Sequence, residues 1–253
     1  MKNDDEINIC FCSDENLIEY IPVVLNSILS RNSHHKINIH YIHCIKDDSK
    51  IDNLKKYTDK FCNLYLFTYY KEWVYKYEGL THVTQATMLR IYIPQIITNI
   101  DIKKVLYLDI DIIVNLDLSE IFKLDCGMKG IALKNSISRY WRLSKIGTPS
   151  GNCGVMLMDL SVLRKEQFTE KCIDIFFKNK EKYHDQDIIN IYLEGKQALL
   201  KENHNIFLNQ DDDKLLKKYK NNYILHFVGK SKPYFGSSGK YQHIWNKYKP
   251  LKI

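Results

Sequence analysis

The segment KVLYLDIDIIV, residues 104–114, is apolar from Val105 to Leu108, meets Asp109 and Asp111, and turns apolar again from Ile112 to Val114. A short, continuous apolar run of this kind reads as a strand buried on both faces, the usual state of a strand in a parallel sheet. Two acids at the end of such a strand are expensive to place unless something cationic compensates them. Spaced two apart in extended chain, their side chains share a face and can converge on one hard cation through oxygen ligands. Taken alone, an Asp-x-Asp pair also describes surface acids. Asp4-Asp5, Asp47-Asp48 and Asp211-Asp212-Asp213 lie in polar stretches and read as solvated loops.

Working outward, Ile7–Cys12 reads as a strand that ends at Ser13-Asp14-Glu15-Asn16. Ile18, Ile21, Val24, Leu25 and Ile28 then recur at helical spacing. Strands are predicted at 37–45, 64–67, 130–133 and 155–158, with helices at 84–97, 160–178 and 187–193. Pro94 is expected to bend or close the first of these helices. Strands alternating with helices predict an α/β fold with a doubly wound, Rossmann-like, mostly parallel twisted sheet flanked by helices. In such a sheet ligands gather beyond the carboxyl ends of the strands, where Asp109, Asp111 and the Ser13–Asn16 loop would meet. Cys10 and Cys12 fall on one face of their strand, as small hydrophobes.

The chain has 253 residues, 45% of them apolar and 26% charged, enough for one globular domain over 1–253. Its net charge of +7 is uneven, because the ten lysines from Lys214 onward face no acid. Interleaved with Tyr219, Tyr223, Tyr234, Tyr241, Trp245 and Tyr248, they suggest a small basic, aromatic appendage at about 235–253 that meets a phosphate-bearing substrate or an anionic membrane surface. The seven cysteines lack metal-ligand spacing and the start MKNDDEIN lacks a signal pattern, so a cytoplasmic setting, peripheral to the membrane at most, is expected. No run approaches the roughly 18 uncharged residues of a membrane span. A nucleic-acid partner is not expected, since the acidic pair would repel phosphates without a cation.

His226 follows the apolar run Tyr223–Leu225 and opens HFVGKSKPY, residues 226–234. An imidazole at a strand end can complete a metal site, although a lone histidine there is also common as an ordinary core residue. Gly229 permits close approach of backbone to a phosphate, and Lys232 offers a point charge. With FCSDENL (11–17), ATMLRIYIP (86–94), SGNCGVMLMDL (150–160) and HDQDIIN (184–190), these segments stand in order along nearly the whole chain. In them the chain resembles the retaining glycosyltransferase family that includes the bacterial lipopolysaccharide galactosyl- and glucosyltransferases and glycogenin.

The resemblance implies the GT-A form of the fold. It also implies transfer of a hexose, glucose or galactose, from a UDP-sugar to a saccharide or glycolipid acceptor in surface-glycan synthesis. Residue by residue it implies manganese, with magnesium the alternative, on Asp109, Asp111 and His226. Asp14 and Asn16 would touch the uridine, Ile110 would lie along the nucleotide, and Gly229 and Lys232 would hold the diphosphate. Arg90 would approach the donor sugar and phosphates, with Asn152, Asp185 and Gln186 lining the reaction centre. Front-face transfer steadied by the Gln186 amide, or a transient nucleophile at Asp185 or Gln186, would each give retention. Asp185 and Asp187 also suit a helix N-terminus.

The sequence departs from the family pattern at Leu17, where some members carry an aromatic. Tyr234 replaces the usual Trp, and Asn135 stands where some relatives carry an acid. Rival readings are a sugar nucleotidyltransferase, disfavoured because no Gly-rich Arg-Lys loop follows the first strand, a glycogenin-like self-glycosylating enzyme, and a nucleotide-sugar-binding protein.

Overall fold

The computed structural model describes residues 6–69, 85–135, 146–179, 183–208, 213–229, 232–234 and 241–250. The acids Asp4, Asp5, Asp211 and Asp212, and residues 70–84, 235–240 and 251–253, lie outside them.

Strands β1 (Glu6–Ser13), β2 (Lys36–His43), β3 (Asn63–Thr68), β4 (Lys104–Leu108), β6 (Ile131–Asn135), β7 (Gly151–Asp159) and β8 (Ala198–Leu199) form one sheet in the order β3-β2-β1-β4-β7-β6-β8. Only β7 runs against the others, so the sheet is mostly parallel. Alternation along each strand feeds two cores. Ile9, Phe11, Leu106 and Leu108 face helix α1 (Ile21–Asn32) and helix α2 (Asp48–Thr58). Cys10, Cys12, Val105 and Tyr107 face residues of 86–97 and of the helices beyond 160, so the two cysteines share a face as expected. This is the GT-A fold.

A second sheet, β5 (Ile112–Asn115), β9 (Ile206–Phe207) and β10 (Tyr223–His226), has the order β5-β10-β9. The apolar run after Asp111 therefore leaves the main sheet, and the two acids sit where the chain crosses from one sheet to the other.

Local chemistry corrects four expectations. Residues 85–92 form a 3-10 helix, and Pro94 stands in the first turn of the short helix Ile93–Ile96, where its missing N–H costs nothing, so it starts a helix rather than closing one. The helix expected at 160–178 is two, Leu160–Lys165 and Phe168–Lys178, separated by Gln167 in the left-handed region at φ 53°. The last of the series begins at Asp185, two residues early, with both acids in its first turn, where the helix dipole favours them. Asp47 is not merely solvated, because its carboxylate caps α2 by accepting from the Ser49 N–H.

Tyr241, Trp245 and Tyr248 turn inward. All three lie in the core beside α1, with the Trp245 ring edge-on to Phe227, and the Asn26 amide donates to the Tyr248 carbonyl at 2.8 Å. No helix among the described residues is long and apolar enough to cross a membrane.

A cleft of about 950 Å³ opens at the amino ends of β1, β2 and β4, opposite the acids, and His40 lines it. His40 is 2% exposed, and burial pushes its pKa down to about 4. The folded protein keeps this ring neutral while the unfolded chain takes up the proton near pH 6.5. Stability is therefore lost as pH falls from about 6.5 to about 4, by about 3 kcal/mol at most. Urea unfolding at pH 7.5 and pH 4.5 should show a larger acid loss for the wild type than for His40→Gln, by about 2 kcal/mol; equal losses would mean that the ring is protonated in the fold.

Candidate active site

Backbone pairing assembles the site from distant segments. In the antiparallel ladder between β5 and β10, His226 lies opposite Ile112, and the Phe227 N–H donates to the Asp111 carbonyl at 3.0 Å. That ladder carries His226 to Asp111 across 115 residues. On the other side β7 runs antiparallel to β4, and the Asp109 N–H donates to the Gly154 carbonyl at 2.8 Å.

Ligand atoms of Asp109, Asp111 and His226 all lie within 4.8 Å of one another. Asp111 and His226 are nearly inaccessible, with side chains 2% and 3% exposed, while Asp109 at 26% faces outward. His226 Nε2 stands 3.4 Å from Asp111 Oδ1 and 3.6 Å from Asp109 Oδ2. Both separations exceed the roughly 2.7–2.9 Å of a charge-assisted hydrogen bond.

The other ring nitrogen explains this. Nδ1 lies 3.2 Å from Asn205 Oδ1, and Asn205 is turned that way because its own amide NH2 donates to Asn152 Oδ1 at 3.0 Å. In the neutral imidazole Nδ1 therefore carries the proton, and the Nε2 lone pair points at two carboxylates. Three electron-rich groups facing one point are mutually repulsive unless a cation lies among them. Two carboxylates and an imidazole are a donor set that suits manganese or magnesium-like ions with some nitrogen character.

Gly154 keeps the space open. A Cβ on it would stand 2.2 Å from His226 Cε1 and 2.7 Å from Asp109 Oδ2, so any side chain would fill the cradle.

Positive groups flank the acids. Lys232 donates to Asp111 Oδ2. Burial alone would raise the Asp111 carboxyl, yet the Lys232 ammonium beside it holds it well below the usual carboxylate range. Arg90, also buried, bridges Asp109 Oδ1 at 3.1 Å and Asp185 Oδ2 at 3.0 Å, and its guanidinium lies 4.5 Å from the centre of the Tyr107 ring. Tyr107 donates its hydroxyl to Asp109 Oδ1 at 2.6 Å. Three carboxylates against two such cations leave one net negative charge, and a dication would reverse that sign. The site can then attract a diphosphate.

An amide relay continues from the metal cluster. Gly154 N–H donates to Asn152 Oδ1. Gln186 Oε1 accepts from the Cys153 N–H at 3.2 Å and from Asn152 Nδ2 at 3.4 Å. Both lone pairs of that oxygen are engaged. Asp185 is engaged as well, with Oδ2 on Arg90 and Oδ1 accepting from Thr87 Oγ1 at 3.2 Å. Asn190 fixes the underlying backbone by pairing with both polar groups of Gly151 and with the Gln186 carbonyl.

Of the residues singled out in the sequence, Asp109, Asp111, His226, Lys232, Arg90, Asp185, Gln186 and Asn152 come together in this one network. Asp14 and Asn16 lie on the exposed loop after β1, where Asp14 Oδ1 accepts from the Asn16 N–H at 2.9 Å. Ile110 is buried in the main core, which leaves only its backbone for a ligand. Gly229 takes φ +63° with open space around it. Tyr234 stacks on Tyr20 at 4.7 Å. Sequence reasoning missed Gly154, Asn205, Tyr107 and Thr87. Gly154 lay in a quoted motif, but nothing in its spacing distinguishes it from Gly151.

Residues 8–236 match the model of glycosyl transferase family 8. General stress protein A of Bacillus subtilis is 28% identical over 92% of this chain and 89% of its own length. The lipopolysaccharide 1,2-glucosyltransferase of Escherichia coli K12 is 24% identical over 97% of this chain and 75% of its own. Among solved structures, the galactosyltransferase LgtC in complex with donor and acceptor sugar analogues superposes with a TM-score of 0.80 at 20% identity, covering 96% of this chain and 95% of that one.

Gly154→Ala should lower the affinity of any divalent cation for this cradle about a hundredfold by calorimetry while far-UV circular dichroism stays unchanged. Gly229→Ala, with no clash but an unfavourable φ, should cost about tenfold at most. Equal effects of the two would contradict the role given to the Gly154 cradle.

Proposed function

The chain belongs to glycosyl transferase family 8, and from that premise we propose that it is a metal-dependent, retaining hexosyltransferase using a UDP-sugar. The acceptor we propose is a saccharide of a surface glycan, either lipopolysaccharide or polysaccharide. The observation that carries the reading is the His226 lone pair aimed at Asp109 and Asp111, an arrangement that favours a bound cation. Asp109, Asp111 and His226 would hold manganese or magnesium, which supplies charge to the departing diphosphate.

The chain's own groups do the rest. Lys232 and Arg90 stand beside the same acids and would stabilise the leaving diphosphate. Gly229 lets its loop approach the phosphates closely, and Asp14 and Asn16 border the uridine. Gln186 and Asp185 are each committed to two partners, which favours front-face transfer over a nucleophile on either. In that reading the diphosphate takes the acceptor proton, while the Asn152–Gln186 relay orients the sugar. The E. coli relative's name, a 1,2-glucosyltransferase of lipopolysaccharide, supports a saccharide acceptor. Because Trp245 and Tyr248 are core residues, contact with an anionic membrane would rest on the lysines of 214–252 rather than on aromatics.

UDP release from a panel of UDP-hexoses, with manganese or with chelator, tests the reading. The expected result is release from one hexose, abolished by chelator and reduced about a hundredfold or more by Asp109→Asn/Asp111→Asn. Manganese-dependent binding without release, even with saccharide acceptors, would favour a nucleotide-sugar-binding protein. Hexose added to the chain's own tyrosines, seen by mass spectrometry, would favour self-glycosylation.

A further inference from the structure

Among the described residues a second cluster of metal-ligating side chains lies away from the site above: His34, His35 and Asp117, whose ligand atoms also fall within 4.8 Å of one another. The two histidines occupy the turn between α1 and β2, and Asp117 follows β5. His34 Nε2 is 3.3 Å from Asp117 Oδ2, and His35 Nε2 is 3.2 Å from Asp117 Oδ1. The rings stand 4.0 Å apart, centre to centre. Each imidazole thus addresses its own oxygen of a single carboxylate.

The turn that carries Asp117 is built, not loose. Asn32, fully buried at the end of α1, donates its amide to the Leu116 carbonyl at 3.0 Å and accepts from the Leu118 N–H at 2.8 Å, clamping the residues on either side of Asp117. The same amide donates to the Ile28 carbonyl of its own helix. The His35 N–H donates to the Asn32 carbonyl at 3.0 Å, so one residue fixes both halves of the cluster. Asp117 Oδ1 accepts from the Ser119 N–H at 2.9 Å, which orients the carboxylate. Burial would raise this carboxyl, but the Ser119 hydrogen bonds and His35 bring it down to about 2, so it is ionised at neutral pH.

Two imidazole nitrogens and one carboxylate are the donors of a borderline dication, in contrast to the oxygen-richer pair at Asp109 and Asp111. We propose that His34, His35 and Asp117 form a second metal site, selective for zinc over manganese, that joins the end of α1 to the end of β5. His34 is 60% exposed and Asp117 43% exposed, so the fourth position is open to water and the metal exchanges with solvent. β5 begins directly after Asp111, and the bound ion therefore steadies the strand that leads out of the active site. The site stands on its own residues and holds whether or not the proposed transferase reading does.

Equilibrium dialysis of the full chain against zinc tests this in the Asp109→Asn/Asp111→Asn background, which removes the competing carboxylates. One zinc per chain is expected, little displaced by excess manganese, with a raised thermal midpoint. Adding His34→Gln and His35→Gln should weaken that binding about tenfold or more and abolish the thermal shift. Asp117→Asn, which keeps the shape of the side chain, should act in the same direction, with unchanged circular dichroism showing that the fold persists. No stoichiometric zinc in the first background, or binding that survives loss of both imidazoles, would overturn the proposal.

Discussion

Three electron-rich groups held within 4.8 Å of one another govern this structure: the His226 lone pair and the carboxylates of Asp109 and Asp111. Left to themselves they repel, and burial of Asp111 and His226 sharpens that repulsion by removing water. The protein opposes it from outside the triangle, with Lys232 on Asp111 and with Arg90 on Asp109. Neither cation fills the centre. With Asp185, which shares Arg90, three carboxylates against two cations leave one net negative charge, low enough for the fold to tolerate and of the right sign to draw a dication.

The architecture follows from where that cluster must sit. One acid ends a strand of the main sheet and the other precedes a strand of the second, so the crossing segment itself presents both. His226 arrives through the β5–β10 ladder, and Gly154 through the antiparallel strand β7. Had β7 been parallel, its Gly154 carbonyl would not meet the Asp109 N–H in this register. The relay from Asn205 through Asn152 to Gln186 then ties the tautomer of His226 to the orientation of groups at the reaction centre.

Much of this was legible in the sequence because it is written in local pattern. An apolar run halted by two acids marks a buried strand end, and six ordered motifs pointed to the family to which the chain belongs. What was illegible depends on contacts between segments. Asn205 looks like any loop asparagine until the ladder of β10 sets its amide against His226. Tyr107 reads as core, and its hydroxyl reaches Asp109 only because the strand face it shares ends in that acid. Trp245 sits in a lysine-rich stretch that suggested a surface, yet its ring is fully buried against Phe227. Charge runs report the exposed positions of a segment and say little about the residues between them. The break at Gln167 left no signal either, since a glutamine does not mark the left-handed backbone it adopts there.

The most direct test is anomalous diffraction at the manganese edge from crystals grown with manganese and UDP. A single strong peak coordinated by His226 Nε2 and one oxygen each of Asp109 and Asp111, with Lys232 turned from Asp111 toward the diphosphate, is the predicted result. Manganese bound elsewhere, or His226 donating from Nε2 to a carboxylate with no ion between them, would contradict the account.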